Sequence, residues 1–185
     1  MRRSIVPSVL LTILLTPAAV SADTSSPDAL FEKGQYAEAL KGYESLLKDP
    51  SEEVRLKALY RAAESEALLF RYAEAGQRIF SSKLPSDTLW KARMLILRSE
   101  LGREFLKQYD RAVPQDREEG STDLTKRTPE EWHAAVREAY QGLWDLRARL
   151  ARVPLKDEGY FVSLNDADLS ETPTLWDFVV LRLSG

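Results

Sequence analysis

The stretch GQYAEALKGYESLL, residues 34–47, is followed by RYAEAGQRIF, residues 71–80, so that the tetrad Tyr-Ala-Glu-Ala starting at Tyr36 returns at Tyr72, thirty-six residues on. In the first copy Tyr36, Ala39, Leu40, Tyr43 and Leu47 fall on one face at helical spacing, which predicts a helix over 36–48 stopped by Asp49-Pro50. Pro27 and Asp28 open a short helix over 29–33, and Gly34 breaks it. The second copy repeats the plan. Ser51-Glu52-Glu53 caps a helix over 54–69 with Leu59, Ala62, Ala63, Ala67 and Phe70 directed inward, and residues 72–80 form its partner, ending before Leu84-Pro85. Two helix-turn-helix units in tandem are the expectation.

The rest of the chain reads as helix too. Only eight glycines occur in 185 residues, and β-branched residues nowhere alternate for long. Ser86-Asp87 caps a third long helix over 88–108, in which Trp90, Met94, Leu97, Leu101 and Phe105 make one stripe. Residues 110–128 are polar, carry Pro114 and Gly120 and show no period, so they are expected as a loop. Thr128 and Glu131 form a capping-box pair around Pro129. The helix they open is expected to reach 152, with Trp132, Val136, Ala139, Leu143, Leu146 and Leu150 as its seam against the third helix. Residues 160–164 are a short extended candidate, and Thr172-Pro173 is read as the start of a last helix carrying Leu175, Trp176, Val179, Val180 and Leu183.

Gly34, Tyr36, Ala39, Tyr43 and Pro50 in the first unit, and Tyr72, Ala75 and Ile79 in the second, resemble the tetratricopeptide repeat over roughly residues 29–83. The second copy lacks the turn glycine, having Phe70-Arg71 instead, and a period of thirty-six is two longer than that repeat. The resemblance implies an all-α fold of antiparallel helix-turn-helix pairs stacked as a short solenoid, right-handed and with a C-terminal helical extension. A generic amphipathic helical pair is the alternative. Domains are expected at 23–109 for the repeats, 110–128 for the polar loop and 129–185 for the C-terminal helical region.

Residues 1–22 read as a signal peptide: Arg2-Arg3, an apolar run, then Val20-Ser21-Ala22 before the cleavage point. The run is broken by Pro7 and Pro17 and is short for a bilayer crossing, so export to the periplasm or the exterior, with no stable membrane insertion after cleavage, is expected, an uncleaved anchor being the alternative. No cysteine occurs, which excludes disulfides, thiolate catalysis and a lipid-anchored N-terminal cysteine. The formal charge of −3 becomes more negative when Arg2 and Arg3 are removed, giving no electrostatic reason to expect nucleic acid as a partner.

Catalytic patterns are sparse. The single histidine, His133, sits three residues after Glu130, a spacing used in metal bundles, but such sites need a second pair. No Gly-x-Ser-x-Gly elbow and no phosphate-binding glycine loop is present, so no cofactor is expected and an enzyme, of which a His133-dependent hydrolase is the last alternative, is not. Trp90, Trp132, Trp144 and Trp176 are expected mainly in the core. The expected function is therefore an exported, non-enzymatic interaction module for a protein or peptide partner.

The segments STDLTKRTPEEWHAAVREAYQGLW, PLKDEGYF and ETPTLWDFVVLRL resemble the helical N-terminal region that precedes the macroglobulin domains of large bacterial alpha-2-macroglobulin-like proteins. That resemblance implies a leading module or shortened piece of a protease-trapping inhibitor. The chain departs from such proteins in having no cysteine for a thioester and no length for macroglobulin domains.

In stacked helical pairs the first helix of each unit lines the recognition surface, which nominates Arg55, Arg61, Glu64 and Ser65 as solvent-facing. Arg55 and Arg61, with Arg93 and Arg98 of the third helix, would make a basic groove suited to an acidic peptide or a chain-terminal carboxylate. The alternative for these side chains is ordinary ion pairing with Glu64, Glu66 and Glu100.

Overall fold

The computed structural model describes residues 26–109, 119–162 and 169–184. The expected signal peptide, residues 110–118 of the polar loop and the end of the extended candidate lie outside the described residues. Seven helices are present among them: α1 Pro27–Glu32, α2 Tyr36–Leu46, α3 Glu52–Leu68, α4 Tyr72–Phe80, α5 Thr88–Tyr109, α6 Pro129–Leu150 and α7 Leu175–Ser184. Two 3-10 turns, Leu124–Lys126 and Leu155–Glu158, complete an all-α architecture.

Local chemistry sets most boundaries. Ser26, Ser51 and Thr128 accept backbone N–H groups at the starts of α1, α3 and α6. Thr128 and Glu131 close a reciprocal capping box, Glu131 N donating to Thr128 Oγ1 at 3.2 Å and Thr128 N to Glu131 Oε2 at 2.8 Å. Asp87 Oδ1 receives the Leu89 and Trp90 amides at the start of α5. The last helix begins at Leu175, later than its Pro173 suggests. Pro173 O instead accepts from Leu155 N, and Thr174 with Asp177 supplies the cap.

The turns between α1 and α2 and between α3 and α4 share one geometry. Gly34 has φ 73° and Phe70 has φ 60°. Gln35 N donates to Leu30 O at 2.9 Å and Arg71 N to Glu66 O at 2.8 Å, the six-to-one bond that closes a helix end through a left-handed residue. Phe70 thus takes the glycine's place, and the left-handed backbone turns its side chain outward, 81% exposed. The expectation that Phe70 faces inward is corrected on this ground. Its ring rests edge-on against Tyr72.

Each helix packs against its neighbour in sequence, α5 against α6 most extensively, and α3 also meets α5. Ala39 and Ala75 are fully buried at the α2–α3 and α4 crossings, where a small side chain lets the backbones approach. Gly76 follows for the same reason, since a Cβ there would lie 2.7 Å from Phe105 of α5. The α5 stripe is buried throughout, Trp90, Met94, Leu97, Leu101 and Phe105 alike, as are Trp132, Val136, Ala139, Leu143 and Leu150 of α6. Leu124, from the segment expected as loop, is 4% exposed in a cluster with Phe105 and the stacked ring of Trp132. Of the four tryptophans, Trp144 departs from the core expectation. It is half exposed, with Trp176 edge-on at 5.7 Å.

Candidate functional site

After α6 the chain does not run back along the bundle. Pro154 and Thr174 pair in an antiparallel bridge, with Leu155 N on Pro173 O and Leu175 N on Val153 O, both at 2.9 Å. Of the chain between them, residues 155–162 lie across α5, α3 and α1. They are held there mainly by side chains. Leu155 and Val162 at the ends are buried in the α5–α6–α7 core.

On α5, Arg93 grips Glu158 with two parallel bonds, Nε to Oε2 at 2.8 Å and Nη2 to Oε1 at 2.9 Å. The Glu158 side chain is 3% exposed, so this is a desolvated, bidentate pair of the kind that fixes position as well as charge. The same guanidinium lies over the Phe161 ring at 3.9 Å and beside Trp90 at 4.7 Å. Phe161 is wedged edge-on between Tyr60 of α3 and Trp90 of α5, at 5.2 and 5.1 Å. Tyr60 also donates its hydroxyl to Phe161 O at 2.5 Å.

Tyr160 reaches further, to α1. Its hydroxyl and that of Tyr43 both donate to Asp28 Oδ1, at 2.6 and 2.7 Å, while Lys57 Nζ donates to Asp28 Oδ2 at 2.8 Å. The Arg61 guanidinium is sandwiched between the Tyr160 and Phe31 rings, 3.9 and 4.2 Å from their centroids. Its Nη1 donates to Glu64 Oε2 at 2.8 Å. Arg61 Nε, buried, has no hydrogen-bond partner among the described residues, which at about 1–3 kcal/mol for an unpaired buried donor marks an imperfect fit.

Charge states follow from these contacts. Burial alone would raise the Asp28 carboxyl, but the hydrogen bonds from Lys57, Tyr160 and Tyr43 outweigh it and hold it below its ordinary range. Glu64 goes the other way: burial pushes it up to about 7 against the opposing pull of Arg61. Burial raises Tyr43, Tyr60 and Tyr160 above the ordinary phenol range, so all three stay protonated donors at neutral pH. Phenols so held grip a carboxylate or a carbonyl and do not act as bases. This chemistry suits recognition.

The six residues nominated from sequence divide in the structure. Arg61, Glu64 and Arg93 do meet on this face, but Arg61 is 5% exposed and Ser65 fully buried, so neither is solvent-facing as expected. Ser65 turns back to donate to Arg61 O. Arg55 caps the Asp49 and Pro50 carbonyls, and Arg98 the Ile79 and Ser82 carbonyls at the end of α4. An open groove of four free guanidiniums is not formed. Lone helix faces do not reveal that a guanidinium will be claimed by a carbonyl or by a carboxylate from a distant segment.

Sequence reasoning missed Asp28, Tyr43, Lys57, Tyr60, Trp90, Glu158, Tyr160 and Phe161 as members of one site. The cluster of acid, glycine and two aromatics in DEGYF was the available signal. His133 is exposed on α6, and among the described residues no three His, Asp or Glu side chains gather to hold a metal. No helix among them is long and apolar enough to cross a membrane. A cleft of about 700 Å³ lies elsewhere, along α4, and its Arg78 is already paired with Glu66 and Glu44. No protein-family model, curated protein or solved structure matches the chain.

Proposed function

We propose that the chain is an exported helical-repeat module of the cell envelope that binds a protein or peptide and catalyses no reaction. One observation carries this reading: the face made by α1, α3 and α5 holds a short segment, a 3-10 turn and the residues after it, by side-chain recognition, with a bidentate arginine, an aromatic slot and a carboxylate hub. That is the equipment of a peptide-binding surface. The matched turns at Gly34 and Phe70 support the repeat reading, since two copies of one unit place equivalent helices side by side. Export rests on residues 1–22 and makes the mature chain begin at Asp23.

The mature chain, used as bait in envelope extract, is expected to retain a protein that then binds it saturably in a direct titration with purified components. Failure to obtain any saturable partner, or a turnover activity lost in His133→Ala, overturns the reading. N-terminal sequencing of the exported product tests the compartment, with Asp23 as the expected first residue.

A further inference from the structure

We infer that Glu158–Phe161 is a resident stand-in for a partner segment, and that the α1–α3–α5 face takes in trans a peptide with an acidic residue followed two and three places later by aromatic side chains. The inference rests on the interaction-module reading and gives its partner a chemistry.

Three observations converge on it. Recognition of the segment is concentrated in three residues: Glu158 on Arg93, Tyr160 on Arg61 and Asp28, Phe161 between Tyr60 and Trp90. Those contacts read the segment as a ligand is read, by charge, ring and one backbone carbonyl. The bridge at Pro154 and Thr174 lies outside residues 158–161, so α6 and α7 stay joined to the body whether or not those residues are docked. Arg61 Nε is left unpaired beneath Tyr160, so the resident segment does not use every donor of the face. A partner carrying a carboxylate near that position would meet Arg61 and Lys57 together.

Competition is the consequence. A tethered segment acts at an effective concentration of about millimolar, so a free peptide of equal intrinsic affinity binds the wild-type chain only weakly until the resident contacts are loosened. A partner that docks must release Glu158 from Arg93, which exposes the segment.

The probe is a fluorescein-labelled synthetic peptide of residues 155–162, LKDEGYFV, titrated by anisotropy into the mature protein. The double variant Glu158→Ala, Phe161→Ala vacates the face, and circular dichroism checks its helicity. It is expected to bind the peptide saturably and at least about tenfold more tightly than the wild type, and to lose that binding when Arg93→Ala is added. No binding by the folded double variant, or binding indifferent to Arg93→Ala, overturns the inference. Should the double variant not fold, Glu158→Gln, which keeps the side chain's shape, is expected to bind the peptide several-fold more tightly than wild type; equal affinity overturns it. A peptide with Gln and Ala at the Glu158 and Phe161 positions is expected to bind neither protein, and equal binding by it overturns the inference as unspecific adhesion. The two readings separate in the last arm. A captured envelope partner that LKDEGYFV does not displace defeats the stand-in and leaves the module reading standing, whereas peptide binding without any envelope partner does the reverse.

Discussion

The first helical pair turns at Gly34 and the second at Phe70, and the backbone is the same in both. Glycine enters the left-handed region without steric cost, while a residue with a Cβ gives up roughly 1–2 kcal/mol there. The second turn keeps that geometry because Arg71 N still finds Glu66 O and α4 still buries Ala75 and Ile79 against α3. Packing and hydrogen bonding of the pair, not the turn residue, therefore decide the conformation. The same comparison extends to side chains thirty-six residues apart. Asp28 and Glu64 occupy equivalent places, yet Asp28 collects three donors and stays ionised while Glu64, partly buried with one arginine beside it, resists ionisation.

The strongest way to break the second unit is to fill its crossing. Ala75→Trp is expected to destabilise the mature protein by ~3 kcal/mol, the upper part of the overpacking range, whereas Ala37→Trp, on the exposed face of α2, stays within about 0.5 kcal/mol. Thermal melting of both variants checks this, and similar shifts would remove Ala75 from the crossing.

The carboxylate comparison is sharpened by pH. Glu64, ordinarily near 4.5 and raised to about 7, binds a proton in the folded state that the unfolded chain has already released. Stability therefore falls as pH rises across that interval, by on the order of 2 kcal/mol for a group so placed, and is flat above it. Glu64→Gln is expected to flatten this window in urea titrations at stepped pH. Asp28 has the opposite sign: its contribution is present above its ordinary value of 3.8 and is lost as pH falls through its lowered folded value. Asp28→Asn should remove that acidic arm only. An unchanged profile in either variant would separate the group from the slope assigned to it.

The turns themselves give the smallest effect. Phe70→Gly is expected to stabilise the protein by about 0.5–1 kcal/mol, since an 81% exposed ring loses little packing while the left-handed strain is relieved. Gly34→Ala should cost a similar amount although nothing lies within 4 Å of its added Cβ. Equal and opposite signs are the test; two destabilised variants would show that Phe70 contributes through its contact with Tyr72.

The helices were legible in the sequence because their causes are local. The α4 boundaries, the Thr128–Glu131 box and the α5 stripe from Trp90 to Phe105 follow from spacing and capping alone. The turn at Phe70 was hidden because its conformation comes from the packed pair and not from its own side chain. The site was hidden for a related reason. Asp28, Lys57, Arg93 and Tyr160 sit on four separate segments, and no periodicity of one helix reports that a carboxylate sixty-five residues away will claim Arg93. Reading the first helix of the second unit together with the third helix nominated Arg61, Glu64 and Arg93, but it put Arg61 in solvent and did not foresee the segment that covers it.

The hydroxyl of Tyr60 joins Phe161 across 101 positions of chain. A contact that distant forms only after a long loop has closed, whereas α1 with α2 and α3 with α4 meet over short turns. This difference predicts an order of assembly in which the helical pairs form the nucleus and residues 158–161 settle afterwards on a surface already made. In stopped-flow folding, Phe161→Leu is expected to accelerate unfolding with little change in the folding rate, while Leu40→Ala slows folding. If Phe161→Leu slowed folding as much as Leu40→Ala, the segment would belong to the nucleus. On the expected order, a chain emerging N-terminus first would complete the α1–α3–α5 face before the segment that covers it has arrived.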